Sequence, residues 1–183
     1  MSYLVAAKYL GSDYDVQRLQ GGVRAWWRPW DRLQIAAQVR TGVILPFGPN
    51  PGAPLTHKFY LGGADTVRGW GSRRLSPRVE ECDDEGTCVS TPVGGYTMIQ
   101  GNLELRVRIV SMFSLVGFVD MGDVQAGVAT WRPGQWNFSA GPGLRVDSPI
   151  GLVRLDAGFR LNDPGVYPDE ASWGIYFGFG ETF

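Results

Sequence analysis

Along most of this 183-residue chain, apolar and polar residues alternate one by one. That is the period of an extended strand with one apolar and one polar face. It excludes a helical bundle, whose apolar stripe returns every three or four residues. In the last segment Trp173, Ile175, Phe177, Phe179 and Phe183 share a face, against Gly174, Tyr176, Gly178, Gly180 and Thr182. Before it, Val153, Leu155, Ala157 and Phe159 oppose Arg154, Asp156, Gly158 and Arg160. Phe138, Ala140, Leu144 and Val146 oppose Ser139, Gly141, Gly143, Arg145 and Asp147. Leu103, Leu105, Val107 and Ile109 oppose Asn102, Glu104, Arg106 and Arg108, and Leu33, Ile35, Ala37, Val39 and Val43 oppose Arg32, Gln34, Gln38 and Arg40. Weaker alternation over 3–10, 17–28 and 113–122 brings the expected strands to eight.

The polar faces narrow the class further. They mix Arg, Asp and Glu with Gly and Ser, and of the 17 basic residues only Lys8 and Lys58 are lysines. Arginine keeps its charge and makes forked hydrogen bonds, which suits a crowded polar interior. The apolar faces carry no charge. Short connections near 28–32, 109–111 and 147–151 alternate with long ones at 44–95, 123–136 and 162–171. This asymmetry matches a transmembrane barrel with tight turns at one end and long loops at the other. The pattern therefore favours an all-β, antiparallel transmembrane β-barrel, read as a single domain over 1–183 with its long loop at 44–95. A soluble β-sandwich that binds a ligand or partner is the alternative from periodicity alone. No apolar run is long enough for a transmembrane helix, and the start MSYLVAAKYLG lacks the marks of a signal peptide.

At Tyr60–Trp70 the chain reads YLGGADTVRGW, within the longest loop. Further blocks follow: GGYTMIQGNLELRVRI at 94–109, FSLVGFVDMGDV at 113–124, SAGPGLRVDSPIGLVRLDAG at 139–158 and GIYFGFGETF at 174–183. In this order they resemble the outer-membrane protein assembly superfamily, the bacterial surface antigen family with its BamA-like and TamA-like members. In that family a Gly-Gly pair precedes a Val/Ile-Arg-Gly-aromatic tip, matched here by Gly62, Gly63, Val67, Arg68, Gly69 and Trp70. The family fold is a sixteen-stranded barrel preceded by POTRA domains. Eight strands without POTRA domains match its C-terminal half, or else a short or oligomeric barrel.

The resemblance implies that Arg68 folds back into the lumen and pairs with inward carboxylates, matched here by Glu104 and Asp120. Alternation separately sets both on the polar face. Arg68 as a solvated loop arginine, with Glu104 paired to Arg106 or Arg145, is the competing reading. A closed eight-stranded barrel is nearly filled by its own side chains. A loop as long as 44–95 then lies outside, or strands from another chain enlarge the barrel. Trp173, Ile175, Phe177, Phe179 and Phe183 resemble the family's C-terminal strand signal, and they also suit a lipid-facing strand. Trp26, Trp27, Trp30, Trp131 and Trp136 suit an interfacial girdle. Cys82 and Cys88, in EECDDEGTC, read as a local disulfide of an oxidising compartment. The acidic run Glu80, Glu81, Asp83, Asp84 and Glu85 reads as a solvated loop, with divalent-cation binding as the sharper alternative.

By resemblance the chain belongs in the bacterial outer membrane, inserting and folding outer-membrane proteins or translocating polypeptide. Its expected partners are outer-membrane lipid, client outer-membrane proteins and further copies of itself, joined through open strand edges. A passive pore or membrane anchor, such as the barrel of a secreted lipase, is the alternative in the membrane. Enzyme activity is not expected, since His57 is the only histidine. No cofactor or metal motif stands out: GGADTVRGWG lacks the Lys-Ser/Thr ending of a nucleotide loop. A net charge of -1 argues against a nucleic-acid partner.

Overall fold

The structure, a computed structural model, describes residues 2–6, 14–47, 52–83, 88–149, 151–162 and 171–180. Its main element is an eight-stranded antiparallel sheet. In chain order the strands are β1 (Ser2–Ala6), β2 (Val16–Trp30), β3 (Leu33–Pro46), β6 (Thr97–Val110), β7 (Phe113–Gln125), β8 (Asn137–Ser148), β9 (Gly151–Arg160) and β10 (Trp173–Phe179). A separate hairpin, β4 (Arg78–Cys82) with β5 (Cys88–Pro92), stands inside the long connection. The stretch 44–95 is thus not all loop: β3 runs to Pro46, and the β-rich sequence RVEEC/CVSTP pairs with itself.

Each strand of the large sheet pairs with its sequence neighbours, and β3 pairs directly with β6 across the long insertion. The tight turns are shorter than the sequence suggested. Trp30 pairs with Leu33, Val110 with Phe113 and Ser148 with Gly151, so two residues make each turn. All three lie at one end of the sheet, and the long connections lie at the other. The sheet is open: β1 and β10 are its edges, and among the described residues they do not pair with each other.

Alternation gives the sheet two unlike faces. On one stand Leu103, Leu105, Leu115, Val119, Leu155, Phe159, Trp173, Ile175, Phe177 and Phe179, all exposed, with Ile175 at 65% and Phe177 at 62%. A contiguous apolar face of this size, without protein over it, is what a strand shows to lipid. On the other stand Glu104, Asp120, Ser139, Arg145 and Asp156, all buried. Glu104 of β6 and Asp156 of β9 reach the same Nη1 of Arg68, at 2.7 and 3.2 Å. A flat sheet would set those strands about 14 Å apart, so the polar face is concave.

The concave face is filled by the long connection. Ala53, Phe59, Leu61, Val67, Trp70 and Leu75 pack against Val16, Ile44, Met98 and Val124 of the strands. The protein's apolar core therefore lies inside the curve, under the loop, and not between two sheets. Of the expected girdle residues, Trp26 lies opposite buried Ala36 and so belongs to the concave face, whereas Trp27 lies opposite Ile35 on the outer face. A residue's place in the alternation, not its nearness to a strand end, decides which side it serves.

Candidate functional site

The loop enters and leaves through two backbone bridges, Phe59 with Gly95 and Leu61 with Leu75. Between them the chain doubles back, with the Gly63 N–H donating to the Trp70 carbonyl at 2.9 Å. Gly62, Gly63 and Gly69 have φ of 100°, 103° and 89°, a region that side chains with a Cβ rarely adopt. At Gly69 this reversal carries the chain onto β9. Gly158 of β9 lies so close that a Cβ there would stand 2.6 Å from the Gly69 nitrogen. Glycine on the strand lets the loop backbone touch the wall. Val67 and Trp70 turn inward on either side and are fully buried.

Arg68, also fully buried, is the centre of the arrangement. Its Nε and Nη2 donate to the two oxygens of Asp120 at 2.7 and 2.8 Å, in the forked geometry of a charge-assisted pair. Its Nη1 donates to Glu104 at 2.7 Å and to Asp156 at 3.2 Å. Its backbone N–H adds a bond to Asp120 at 3.1 Å. The Phe118 ring lies under the guanidinium, 3.5 Å from its carbon, and supplies a cation–π contact. Burial alone disfavours the charged guanidinium. The hydrogen bond and charge of Asp120, with the charges of Glu104 and Asp156, outweigh burial and hold Arg68 above the ordinary arginine range.

A second layer completes the balance. Glu104 also accepts from Arg106 at 2.9 Å and Arg145 at 3.2 Å, and Arg145 donates to Asp156 at 2.5 Å. Three guanidiniums (Arg68, Arg106, Arg145) thus face three carboxylates (Glu104, Asp120, Asp156) in a buried, charge-neutral cluster. Arg68 is thus buried and not a solvated loop arginine, while Glu104 pairs with Arg106 and Arg145 in addition to it. Asn102 ties the cluster to the loop, donating to Asp120 at 2.8 Å and to the Thr66 carbonyl at 2.6 Å. Arg154 pairs with Asp65 of the loop, and Arg160 donates to the Gly69 carbonyl at 2.9 Å while lying over the Trp70 ring. The Tyr176 hydroxyl of β10 accepts from the Gly69 N–H at 2.8 Å and donates to the Trp70 carbonyl at 3.0 Å.

Asp156, Phe118 and Tyr176 belong to this site but were not singled out from the sequence, whereas Arg145 was expected only as an alternative partner of Glu104. Alternation set Asp156, Arg145 and Tyr176 on the polar face, yet it does not tell which strands curve close enough to share one arginine. Phe118 shares the inner face of β7 with the buried Val116 and Val124, so nothing in the alternation marked its ring as the one under a guanidinium. Elsewhere, Cys82 and Cys88 form a disulfide across directly paired positions of β4 and β5. Glu80, Glu81 and Asp83 are exposed, while Asp84 and Glu85 lie outside the described residues. Among the described residues no group of three or more His, Cys, Asp or Glu is placed to hold a metal ion. Trp173, Ile175, Phe177 and Phe179 line the outer face of β10, and Phe183 lies outside the described residues.

The chain is similar to known proteins in sequence and in fold. The family model for the Omp85 superfamily domain matches residues 3–183. The outer membrane protein assembly factor BamA of Nitratidesulfovibrio vulgaris is 32% identical over 152 residues, which is 81% of this chain and 18% of that protein. The chain thus spans less than a fifth of that curated relative. In three dimensions it superposes on the crystal structure of BamA from Haemophilus ducreyi lacking POTRA domains 1–3, with a TM-score of 0.70 and 18% identity. That match covers 91% of this chain and 35% of the other, and it shows a shared fold. With the described sheet matched from residue 3 onward, the chain belongs to the Omp85 superfamily and to the bacterial outer membrane.

Proposed function

We propose that the chain is a single membrane-inserted β-barrel domain, or the part of a larger barrel, that helps client outer-membrane proteins insert and fold. The role is non-enzymatic: a client strand adds to an exposed edge and gains main-chain hydrogen bonds there. One observation carries this reading. β10 is an edge strand with a wholly apolar outer face, and its Tyr176 is bonded to the loop tip that Arg68 anchors. The edge open to a client is thereby tied to the buried charge cluster, which sets the shape of the wall behind it. In this reading Gly62, Gly63, Val67, Arg68, Gly69 and Trp70 form the anchor, and Glu104 and Asp120 its seat. Trp173, Ile175, Phe177 and Phe179 face lipid. The same open edges favour self-association when no client is present.

The test is reconstitution of the chain into phospholipid vesicles, followed by addition of a urea-unfolded outer-membrane barrel protein. Folding of the client is followed by its heat-modifiable gel mobility. Insertion faster than into empty vesicles is expected, together with a crosslink from Ile175→Cys in β10 to a cysteine in the client's terminal strand. An ion conductance with neither acceleration nor crosslink would make the chain a passive pore.

A further inference from the structure

The cations of the concave face fall into two populations. Arg68, Arg106, Arg145 and Arg154 each hold a carboxylate. Among the described residues, those over β2 and β3 pair with no carboxylate. Arg18 donates to the amide oxygen of Gln20 at 3.3 Å and lies over the Phe59 ring at 4.5 Å. Arg24 donates to the amide oxygen of Gln38 at 2.7 Å. Lys58 lies over Tyr96 and Arg73 over Tyr60. Every recorded partner is neutral, and the buried Nε of Arg18 has no hydrogen-bond partner. The charges of Arg18 and Arg40 oppose each other, as do those of Arg40 and Arg24.

These residues border two cavities that share Gln20 and Arg40. One, of about 210 Å³, is lined by Arg18, Arg40, Lys58 and Arg73, with Phe59 and Met98 among its apolar walls. The other, of about 450 Å³, is lined by Arg24 and Arg40 beside Gly21 and Gly22. Among the described residues no Asp or Glu lines either cavity. Uncompensated cations on a half-buried wall create a positive potential that a negative ligand relieves. The spacing narrows the ligand. Arg18, Gln20, Gly22 and Arg24 follow one another along one face of β2, with Arg40 opposite Gly22. A Cβ at Gly22 would stand 2.8 Å from Cγ of Arg40, so glycine there lets that arginine lie across the strand. From Arg18 to Arg24 is about 20 Å of strand. A point anion matches one such residue. An extended chain with an acidic residue at every second position matches the row, and the apolar walls receive its other side chains.

We infer that the concave wall of β2 and β3 is a binding strip for an extended acidic polypeptide segment, held by Arg18, Arg24 and Arg40. The inference deepens the proposed function, resting on the reading that this protein handles polypeptide clients. The probe is a fluorescein-labelled octapeptide alternating Glu and Thr, titrated with the full chain in detergent micelles and read by anisotropy. A Gln/Thr octapeptide and the triple variant Arg18→Gln, Arg24→Gln, Arg40→Gln are each expected to weaken binding at least about tenfold. Arg40→Lys retains binding and Arg108→Gln leaves it unchanged. Heat-modifiable mobility reports whether the triple variant folds. If it does not, the three single variants are read instead, each expected to weaken binding about threefold. Equal binding of the neutral peptide, or equal binding by the arginine variants, overturns the strip. So does inorganic phosphate that displaces the peptide at equal total charge, because the site then reads single anions. Client insertion is measured on the same samples. Insertion lost with peptide binding intact overturns only the function proposed above, and peptide binding absent with insertion intact overturns only the strip.

Discussion

Replacing Arg68 with alanine tests the buried cluster most directly. The side chain donates four hydrogen bonds to three carboxylates, but the three do not suffer equally. Glu104 keeps Arg106 and Arg145, and Asp156 keeps Arg145. Among the described residues, Asp120 loses both its ionic bonds and retains the Asn102 amide and the backbone N–H of residue 68. Removing one partner of a buried ion pair costs about 3–5 kcal/mol, because the other charge is stranded. Arg68→Ala is therefore expected to destabilise the folded chain by about that amount, measured as urea unfolding in detergent micelles. The structure also says where the penalty sits. Adding Asp120→Asn to Arg68→Ala removes the stranded charge and should recover about 1–2 kcal/mol. Adding Glu104→Gln should recover nothing and cost more, since it takes one carboxylate charge away from both Arg106 and Arg145. A loss below about 1 kcal/mol for Arg68→Ala, small for a buried pair, would refute the reasoning. Equal rescue by the two second-site changes would refute it as well.

Other outcomes follow from the same geometry. Gly158→Ala puts a methyl group 2.6 Å from the Gly69 nitrogen, where the obstacle is backbone. It should lift the loop tip off β9 and raise protease cleavage within 60–75, with the strands still protected. Tyr176→Phe removes the hydroxyl that bonds Gly69 and Trp70, and should cost about 1–3 kcal/mol in urea unfolding, as for other unsatisfied buried groups. Phe177→Arg sets a charge on the outer face of β10, where the native ring is 62% exposed. In lipid vesicles it should cost up to about 2–4 kcal/mol, and much less in the absence of a bilayer-like environment. Cys82→Ser with Cys88→Ser opens a bond confined to the β4–β5 hairpin. Proteolysis at 78–92 should increase while heat-modifiable mobility of the whole chain stays the same.

The large sheet was legible because its signal is local. Each strand's alternation can be read within a few residues, and all eight expected strands of the sheet are there. The β4–β5 hairpin was missed because its strands, five residues each, lie among charged residues with no apolar face to announce them. Gly62, Gly63, Arg68, Glu104 and Asp120 were legible through the motif. Asp156 and Tyr176 were not, because their roles depend on how tightly the sheet bends between β6 and β10. Bending is collective, set by the packing of Phe59, Leu61 and Trp70 against the strand ends, and no short stretch of sequence records it. The same limit explains the loop. The choice between a loop outside and a barrel enlarged by another chain assumed a closed eight-stranded ring, whereas the described sheet is open and the loop lies within its curve.

The reach of Arg68 along the chain sets an order of events. Its contacts join residues 36, 52 and 88 positions away, and the adjoining Gly69 bonds to Tyr176, 107 positions on. When a chain grows from its N-terminus, Arg68 exists before any of the strands that receive it. Closing the connections to β9 and β10 costs chain entropy that the buried contacts repay only on arrival. Until then Glu104 and Asp120 face a groove open to water, and the two halves of the cluster carry opposite charge without meeting. The arginine can lock only once β6, β7 and β9 have come together, and a sheet without β10 leaves the loop tip lacking the two Tyr176 bonds.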